Sequence, residues 1–257
     1  MHILVTNDDG VFAPGLLALA QEMRTLGKVS ILAPDRNWSA SGHVKTLNRP
    51  LRAKPVILAD GSPALASDGA PSDCVALALL GLLPEKVDLV VSGINPYANL
   101  SHDVTYSGTV TSAMEAVINA VPGLAFSIGG PGRGIRSLEL EDYRTAAKAA
   151  AQIAAKVLEH GLPVGVLLNI NIPCLPLNQI QGVRLTRQGT RIYRDELVTR
   201  ADPRGIPYYW IGGEAPTGVD EEGTDFSALS AGFISITPLQ LDLTAYAALP
   251  ELEKWHW

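Results

Sequence analysis

Residues 2–10 read His2-Ile3-Leu4-Val5-Thr6-Asn7-Asp8-Asp9-Gly10. The first five form an apolar run without helical spacing, which predicts a buried strand. Two carboxylates follow at its carboxyl end, the edge of an open α/β sheet where ligands bind. Because successive strand side chains point to opposite faces, Asp8 and Asp9 share one site only if the chain turns, and Gly10 permits a turn. The tetrapeptide 7–10 therefore fits either a divalent cation site or an ordinary polar turn.

Strand and helix patterns alternate from residue 2 to residue 172. The predicted strands are 2–6, 29–33, 88–92, 124–128 and 164–172, and the predicted helices are 15–26, 71–83, 108–119 and 138–160. This order predicts an α/β fold with a mostly parallel, doubly wound sheet. A glycine-rich loop is expected at 129–134. After Pro173, short strands are predicted over 183–188, 208–211 and 233–237, so we divide the chain into a core, 1–173, and a β-rich extension, 174–257.

Composition excludes several classes of protein. The chain has 257 residues, 47% of them hydrophobic and 18% charged, as in a globular domain that buries its own core. Its net charge of −6 argues against a nucleic-acid polymer as partner. The most apolar stretch, 74–83, is too short to span a membrane. Two cysteines without a C-x-x-C motif, and no visible signal peptide, lead us to expect a cytoplasmic protein.

Three polar loops follow three of the predicted strands, at 7–10, 34–46 and 92–109. In a parallel sheet these loops lie at the same edge and can converge. Most of their polar side chains offer oxygen: Asp8, Asp9, Ser39, Ser41, Asn95, Asn99, Thr105, Ser107 and Thr109. Oxygen ligands suit magnesium, manganese or calcium, whereas the scattered histidines and cysteines do not form a zinc set.

Tyr106-Ser107-Gly108-Thr109 precedes a predicted helix. The free N–H groups of a helix start, together with nearby hydroxyls, can bind an anion, and beside a carboxylate-bound metal that anion would be a phosphate. The alternative is that Ser107 only caps the helix. Other nucleotide signatures are absent from the sequence, namely the G-x-x-x-x-G-K-[ST] loop and a G-x-G-x-x-G after the first strand.

With these loops assembled, the chain resembles the SurE (survival protein E) family of metal-dependent nucleotidases along nearly its whole length. The motifs that carry the resemblance are Asn7-Asp8-Asp9-Gly10, Ala33-Pro34-Asp35-Arg36-Asn37 through Ser39, Ser92-Gly93-Ile94-Asn95, Tyr106-Ser107-Gly108-Thr109-Val110, Asn169-Ile170-Asn171-Ile172-Pro173, Gly223-Thr224-Asp225 and Ser235-Ile236-Thr237-Pro238-Leu239. Each is weakly specific alone, but all of them in the family's order are highly specific.

The resemblance implies a Rossmann-like core and hydrolysis of nucleoside 5′- and 3′-monophosphates, with an exopolyphosphatase side activity in relatives. It implies one divalent cation per subunit, Mg²⁺ or Mn²⁺, and a C-terminal extension used in a homodimer or homotetramer. The implied metal ligands are Asp8, Asp9, Ser39 and Asn95. On this model we expect Asn99, Ser107, Gly108 and Thr109 to bind the phosphoryl oxygens, and Asp8, Asp9 and Ser107 to be catalytic.

Some alternatives stay open at the level of sequence. His102 stands where relatives commonly have another residue; it is either a proton donor to the leaving group or a solvated loop histidine. Tyr246, Trp255 and Trp257 fit an anchor on a partner subunit or packing on their own chain. Rival functions are a phosphate- or nucleotide-binding protein without turnover and a metal-dependent glycosyltransferase.

Overall fold

The computed structural model describes residues 1–129, 138–255 and 257, so the predicted loop at 129–134 lies outside the described residues from position 130 onward. The strands are β1 (His2–Thr6), β2 (Lys28–Pro34), β3 (Ala53–Ile57), β4 (Pro63–Ser67), β5 (Leu89–Asn95), β6 (Gly123–Ile128), β7 (Val166–Ile172), β8 (Val183–Leu185), β9 (Arg191–Ala201), β10 (Pro207–Gly218) and β11 (Ile234–Gln240). The helices are α1 (Pro14–Met23), α2 (Pro71–Leu77), α3 (Gly108–Ile118), α4 (Leu140–His160), α5 (Asp225–Ser230) and α6 (Leu249–Glu253).

Nine strands form one central sheet in the order β3-β4-β2-β1-β5-β6-β7-β11-β8. The neighbouring pairs from β4 through β7 are all parallel, with Val5 of β1 opposite Ile31 of β2 and Val91 of β5. The predicted Rossmann-like, mostly parallel sheet flanked by helices is therefore confirmed. Its parallel arrangement brings the carboxyl ends of β1, β2 and β5 to one edge.

Alternation along β1 sends its side chains to two cores. Ile3 and Val5 are fully buried in the cluster that includes α1 and α4, whereas Leu4 packs with Cys74 and Val75 of α2. All five residues of β1 are buried, as their continuous apolar run predicts for a strand covered on both faces. The same alternation fixes which face each of the following aspartates takes.

The central sheet does not end at the expected core boundary, residue 173. β11 pairs antiparallel with β7, and β8 pairs parallel with β11, so both belong to the central sheet. Only β9 and β10 stand apart, as a two-stranded antiparallel hairpin. The predicted helix 71–83 is α-helical only to Leu77 and continues as a wider turn over Ala78–Leu82, where Gly81 has φ +114°.

The sequence prediction missed three strands, namely β9 of the hairpin and the neighbouring strands β3 and β4. β3 and β4 form an antiparallel pair at one side of the sheet, and β4 extends it by pairing with β2. Their sequences contain Pro55 and Pro63 and little alternation, which is why they lacked a strand pattern. Within the described residues, no helix combines the length and apolar character that crossing a membrane requires.

Candidate active site

The turn after β1 is closed by the side chain of Asn7. Its Nδ2 donates to the carbonyl oxygen of Gly10 (3.0 Å), and its Oδ1 accepts from the Gly10 amide (3.2 Å). Gly10 has φ +107°, and a Cβ there would lie 3.3 Å from the backbone of Arg36. The turn that the two aspartates need therefore exists, and Asn7, to which sequence reasoning gave no role, fixes its shape.

Asp8 continues the face of β1 that packs on α2 and α3. It is 3% exposed, and its Oδ1 accepts from the Thr109 hydroxyl at 2.6 Å. A Cβ on Gly108 would lie only 2.7 Å from the Asp8 Cβ, so the first turn of α3 rests directly on this carboxylate. Burial raises the pKa of Asp8, while Thr109 and the backbone amides of Gly108 and Thr109 act in the opposite direction.

Asp9 follows on the opposite side of the turn. It is partly buried, and desolvation together with the neighbouring charge of Asp8 raises its pKa to about 7. Burial, and secondly the charge of nearby Asp9, raise the pKa of the Tyr143 phenol on α4 to about 12. Two carboxylates with raised pKa values lie side by side here, an arrangement that a bound cation would stabilise.

The loop between β2 and β3 crosses this turn. The Trp38 amide donates to the Asp8 carbonyl oxygen (2.7 Å), and the Val11 amide donates to that of Pro34 (2.8 Å). Ser39, whose side chain is exposed, directly follows Trp38, which makes the first of these bonds. The predicted convergence of the 7–10 and 34–46 loops is therefore confirmed at the level of the backbone.

Asn95 ends β5 at the same edge and is 9% exposed. Its Nδ2 donates to the carbonyl oxygen of Tyr97 (2.5 Å), so its Oδ1 is the atom that remains for a cation. Among residues 1–129, 138–255 and 257, no cluster of three or more His, Cys, Asp or Glu side chains could hold a metal. A cation here would therefore be held by two carboxylates and neutral oxygens, the donor set that Mg²⁺ and Mn²⁺ accept.

Ser107 caps α3: its Oγ accepts from the Val110 amide at 3.2 Å. The capping alternative is thus observed, and the hydroxyl hydrogen of Ser107 stays available to an anion. The expected phosphate contacts by Gly108 and Thr109 stay predictions, and the structure shows that both residues contact Asp8. Both are buried, the Thr109 hydroxyl donates to Asp8, and the Gly108 backbone lies on it. Both residues orient the carboxylate of Asp8, which is itself an anion at the start of α3.

Asn99 is held by a row of polar side chains at the ends of β6 and β7. The backbone N–H of Asn99 donates to Asn171 Oδ1 (2.8 Å), and its backbone carbonyl oxygen accepts from the Nδ2 atoms of Asn169 and Asn171 (2.8 and 3.0 Å). Its Nδ2 donates to Ser127 Oγ at 2.8 Å. One N–H of this carboxamide remains for a ligand, so the predicted phosphate contact by Asn99 stays a prediction.

Residues beyond position 173 hydrogen-bond to Ser101 and Asp103, in the segment that follows Asn99. Asp225 is fully buried and accepts from the amides of Ser101 (2.7 Å) and Gly189 (2.9 Å). Asp103 accepts from Arg191 Nε (2.9 Å) and from the Tyr193 hydroxyl (2.6 Å), both at the base of the hairpin. Sequence reasoning quoted the motif that contains Asp225 but found no role for it, because its partners Ser101 and Gly189 lie 124 and 36 residues away.

We expect Thr109→Val to lower kcat/KM about 10- to 100-fold, the usual cost of removing the hydrogen bond that orients a metal ligand. Valine keeps the shape of the buried side chain but leaves Asp8 without this donor, so the melting temperature should fall by only about 2–10 °C. Thr109→Ser, which keeps the hydroxyl, is the matched control and should recover most of the activity. Equal activity in the valine variant and the wild type would contradict the role assigned to this hydroxyl.

Metal binding should stabilise the fold, and more at pH 8 than at pH 5.5. Asp9 has a folded pKa of about 7, above its ordinary value of 3.8, so its contribution to stability is present at low pH and is lost as the pH rises through 7. At pH 8 a bound cation offsets the repulsion between the carboxylates of Asp8 and Asp9. At 100 times its Kd it adds about 2.7 kcal/mol, a rise in melting temperature of about 5–10 °C. Thermal melts with and without Mn²⁺ at both pH values measure the difference; a gain no larger at pH 8 would contradict it.

Residues 3–195 match the model of the family described as survival protein SurE. The chain is 53% identical to "5′-nucleotidase SurE" of Chloroflexus aggregans, over the full length of both proteins. It is 52% identical to the protein of that name from Herpetosiphon aurantiacus, covering 100% of this chain and 99% of the relative. Among solved structures it is similar to the SurE protein from Aquifex aeolicus, with a TM-score of 0.84 and 40% identity over the full length of both chains.

Proposed function

The chain belongs to the survival protein SurE family, and from this membership and the geometry of its site we propose that it is a metal-dependent phosphatase that converts nucleoside 5′-monophosphates into nucleoside and inorganic phosphate. Full-length identities above 50% to curated 5′-nucleotidases make 5′-nucleotidase its enzyme class. The observation that carries the proposal is the pair of aspartates, Asp8 and Asp9, beside the first turn of α3. We extend the proposal to 3′-monophosphates and to a side activity on polyphosphate.

Asp8, Asp9, Ser39 and Asn95 would hold one Mg²⁺ or Mn²⁺ per subunit. The residues present fit such an ion, because two adjacent carboxylates with raised pKa values supply its charge and two neutral oxygens complete the set. When bound, the ion would neutralise phosphoryl oxygens and lower the pKa of a water molecule. Thr109 and Gly108 fix the carboxylate of Asp8 before substrate arrives, so little reorganisation is needed during the reaction.

Ser107 and Asn99, together with Gly108 and Thr109, are the proposed phosphate contacts. The Ser107 hydroxyl accepts from Val110 and keeps its hydrogen, and Asn99 keeps one amide N–H. Both groups are neutral donors in a buried setting, where hydrogen bonds to developing negative charge are strongest. Catalytic roles are proposed for Asp8, Asp9 and Ser107. His102 is exposed and its Nδ1 lies 3.5 Å from Ser101 Oγ, so it is given no role as proton donor to the leaving oxygen.

Exposed aromatic side chains support a nucleoside as the other half of the substrate. Phe12, Tyr97 and Tyr106 are 67%, 61% and 61% exposed, and each adjoins one of the site segments in sequence. A nucleobase stacks on such rings, with a gain of about 1–3 kcal/mol per base. A binding site for free phosphate alone would have no use for them.

Phosphate release from a panel of 5′- and 3′-mononucleotides and polyphosphate tests the proposal, first with EDTA and then with Mg²⁺ or Mn²⁺ restored. We expect release only with metal and fastest from 5′-monophosphates. Phosphate release that is insensitive to EDTA would contradict the metal role. Binding of nucleotides without release would favour the binding-protein alternative, and release of a nucleoside diphosphate from a nucleotide sugar would favour the glycosyltransferase.

We propose that segment 174–257 serves homodimer or homotetramer formation in addition to completing the sheet. The β9–β10 hairpin exposes large apolar side chains, including Leu197, Trp210 and Ile211, and a monomer rarely exposes such a surface. A monomeric mass by light scattering would contradict this assembly. Neither Cys74 nor Cys174 is part of a disulfide, which supports the proposed cytoplasmic location.

A further inference from the structure

The loop that carries Ser39 has no helix or strand from residue 35 to residue 52. It is attached to the site on one side by the bond from the Trp38 amide to the Asp8 carbonyl oxygen (2.7 Å). On the other side, the Gly42 amide donates to the Tyr106 carbonyl oxygen (2.9 Å). The segment 39–41 lies between these attachments, and the position of Ser39 depends on both.

A buried charge on α3 holds the second attachment. The carboxylate of Glu115 is 2% exposed; its Oε2 is 3.0 Å from His43 Nε2 and its Oε1 is 3.1 Å from Lys45 Nζ. The side chains of His43 and Lys45 are 31% and 51% exposed, so they reach inward from the loop to the acid. A carboxylate out of water is costly unless it is paired, so detachment of this loop would remove both cations from Glu115 and leave it the hydrogen bond from Asn119 Nδ2 (3.2 Å).

Further contacts make this attachment specific for the loop geometry. The Thr111 hydroxyl of α3 donates to the Gly42 carbonyl oxygen at 3.1 Å. Asp73 of α2 accepts from the amide and the hydroxyl of Thr46, at 2.9 and 2.6 Å. α3 therefore carries the groups that fix Asp8 at its start and, two turns later, the acid that holds the Ser39 loop. One rigid helix sets the spacing between both parts of the site.

We propose that Glu115 is a positioning residue that, through His43 and Lys45, holds Ser39 at the metal site. The proposal rests on the metal site of the proposed function. Its consequence is that loss of Glu115 weakens metal binding, although the residue touches neither metal nor substrate. A role in stability alone would lower the melting temperature and leave the metal affinity of the folded protein unchanged.

Glu115→Gln removes the charge and keeps the shape. We expect the Mn²⁺ affinity, measured by calorimetry and by the EPR signal of free Mn²⁺, to fall about tenfold or more. Hydrogen exchange should speed up in peptides that cover residues 38–44 and stay unchanged in β1. Phosphate release should be lost at limiting Mn²⁺ and recover toward the wild-type rate at saturating Mn²⁺, because the defect lies in holding the ion.

Two further variants keep the test decisive. His43→Asn combined with Lys45→Met breaks the same contacts from the exposed side and should reproduce the loss of affinity even if Glu115→Gln folds poorly. Glu85→Gln, in the exposed ion pair with Lys28, is the matched control and should behave like wild type. Unchanged Mn²⁺ affinity in both cluster variants would overturn the inference. Wild-type protein that binds Mn²⁺ but releases no phosphate would overturn only the proposed function.

Discussion

Asp8→Asn should abolish phosphate release, with kcat/KM down by about a thousandfold or more, because the ion loses a charged ligand on which its Lewis acidity depends. The same change should not harm the fold. Burial raises the pKa of Asp8, so the ionised side chain destabilises the metal-free protein, and a neutral amide of equal shape relieves that cost. We expect a metal-free melting temperature equal to or above that of wild type, as is common when a functional charge is removed.

The two readouts of Asp8→Asn separate a functional loss from a structural one. Phosphate release at saturating Mn²⁺ gives the first, and thermal melts with and without Mn²⁺ give the second; the variant should also lose the stabilisation that Mn²⁺ gives to wild type. Asp220→Asn, at an exposed position between β10 and α5, is the control for the substitution itself. Activity within tenfold of wild type in Asp8→Asn would end the metal–carboxylate model.

The core of the fold could be predicted because its signals are local. β1 is found at the predicted residues 2–6, and its uninterrupted apolar run corresponds to a strand covered on both faces. The convergence of the loops also followed from a general rule, since parallel strands place their carboxyl ends at one edge. Pro14, the first residue of α1, and Ser107, the cap of α3, are helix-start signals that can be recognised from residue type alone.

Other features depend on contacts between distant residues. β11 joins the central sheet at the edge of β7, and β8 joins at the edge of β11; no pattern within either strand predicts this pairing. Sequence reasoning assigned the hydroxyl of Thr109 to a phosphate; only the fold shows that it lies 2.6 Å from Asp8 Oδ1, 101 residues earlier. Nothing in the sequence singles out Glu115, because its partners His43 and Lys45 lie in a loop about 70 residues away.

Gly108→Ala should cost about 100-fold in kcat/KM, although alanine suits a helix better than glycine. The added methyl would lie 2.7 Å from the Cβ of Asp8 and 3.0 Å from the Cγ of Pro71, and neither neighbour is the free end of a flexible side chain. Either Asp8 or the first turn of α3 must move, and a displacement of about 1 Å at a reacting centre is enough for a loss of this size. Kinetics at saturating Mn²⁺ and the Mn²⁺ affinity measure the effect.

Gly161→Ala separates this effect from lost stability. It adds the same methyl where α4 ends, in open space but at φ +74°, so it strains the backbone by about 1–3 kcal/mol without touching the site. We expect Gly161→Ala to lower the melting temperature and keep the activity. Gly108→Ala should lower the activity far more than its effect on the melting temperature explains. If Gly108→Ala stays within a few-fold of wild type, the contact between α3 and Asp8 is not what sets the geometry of the carboxylate, and Thr109 alone must hold it.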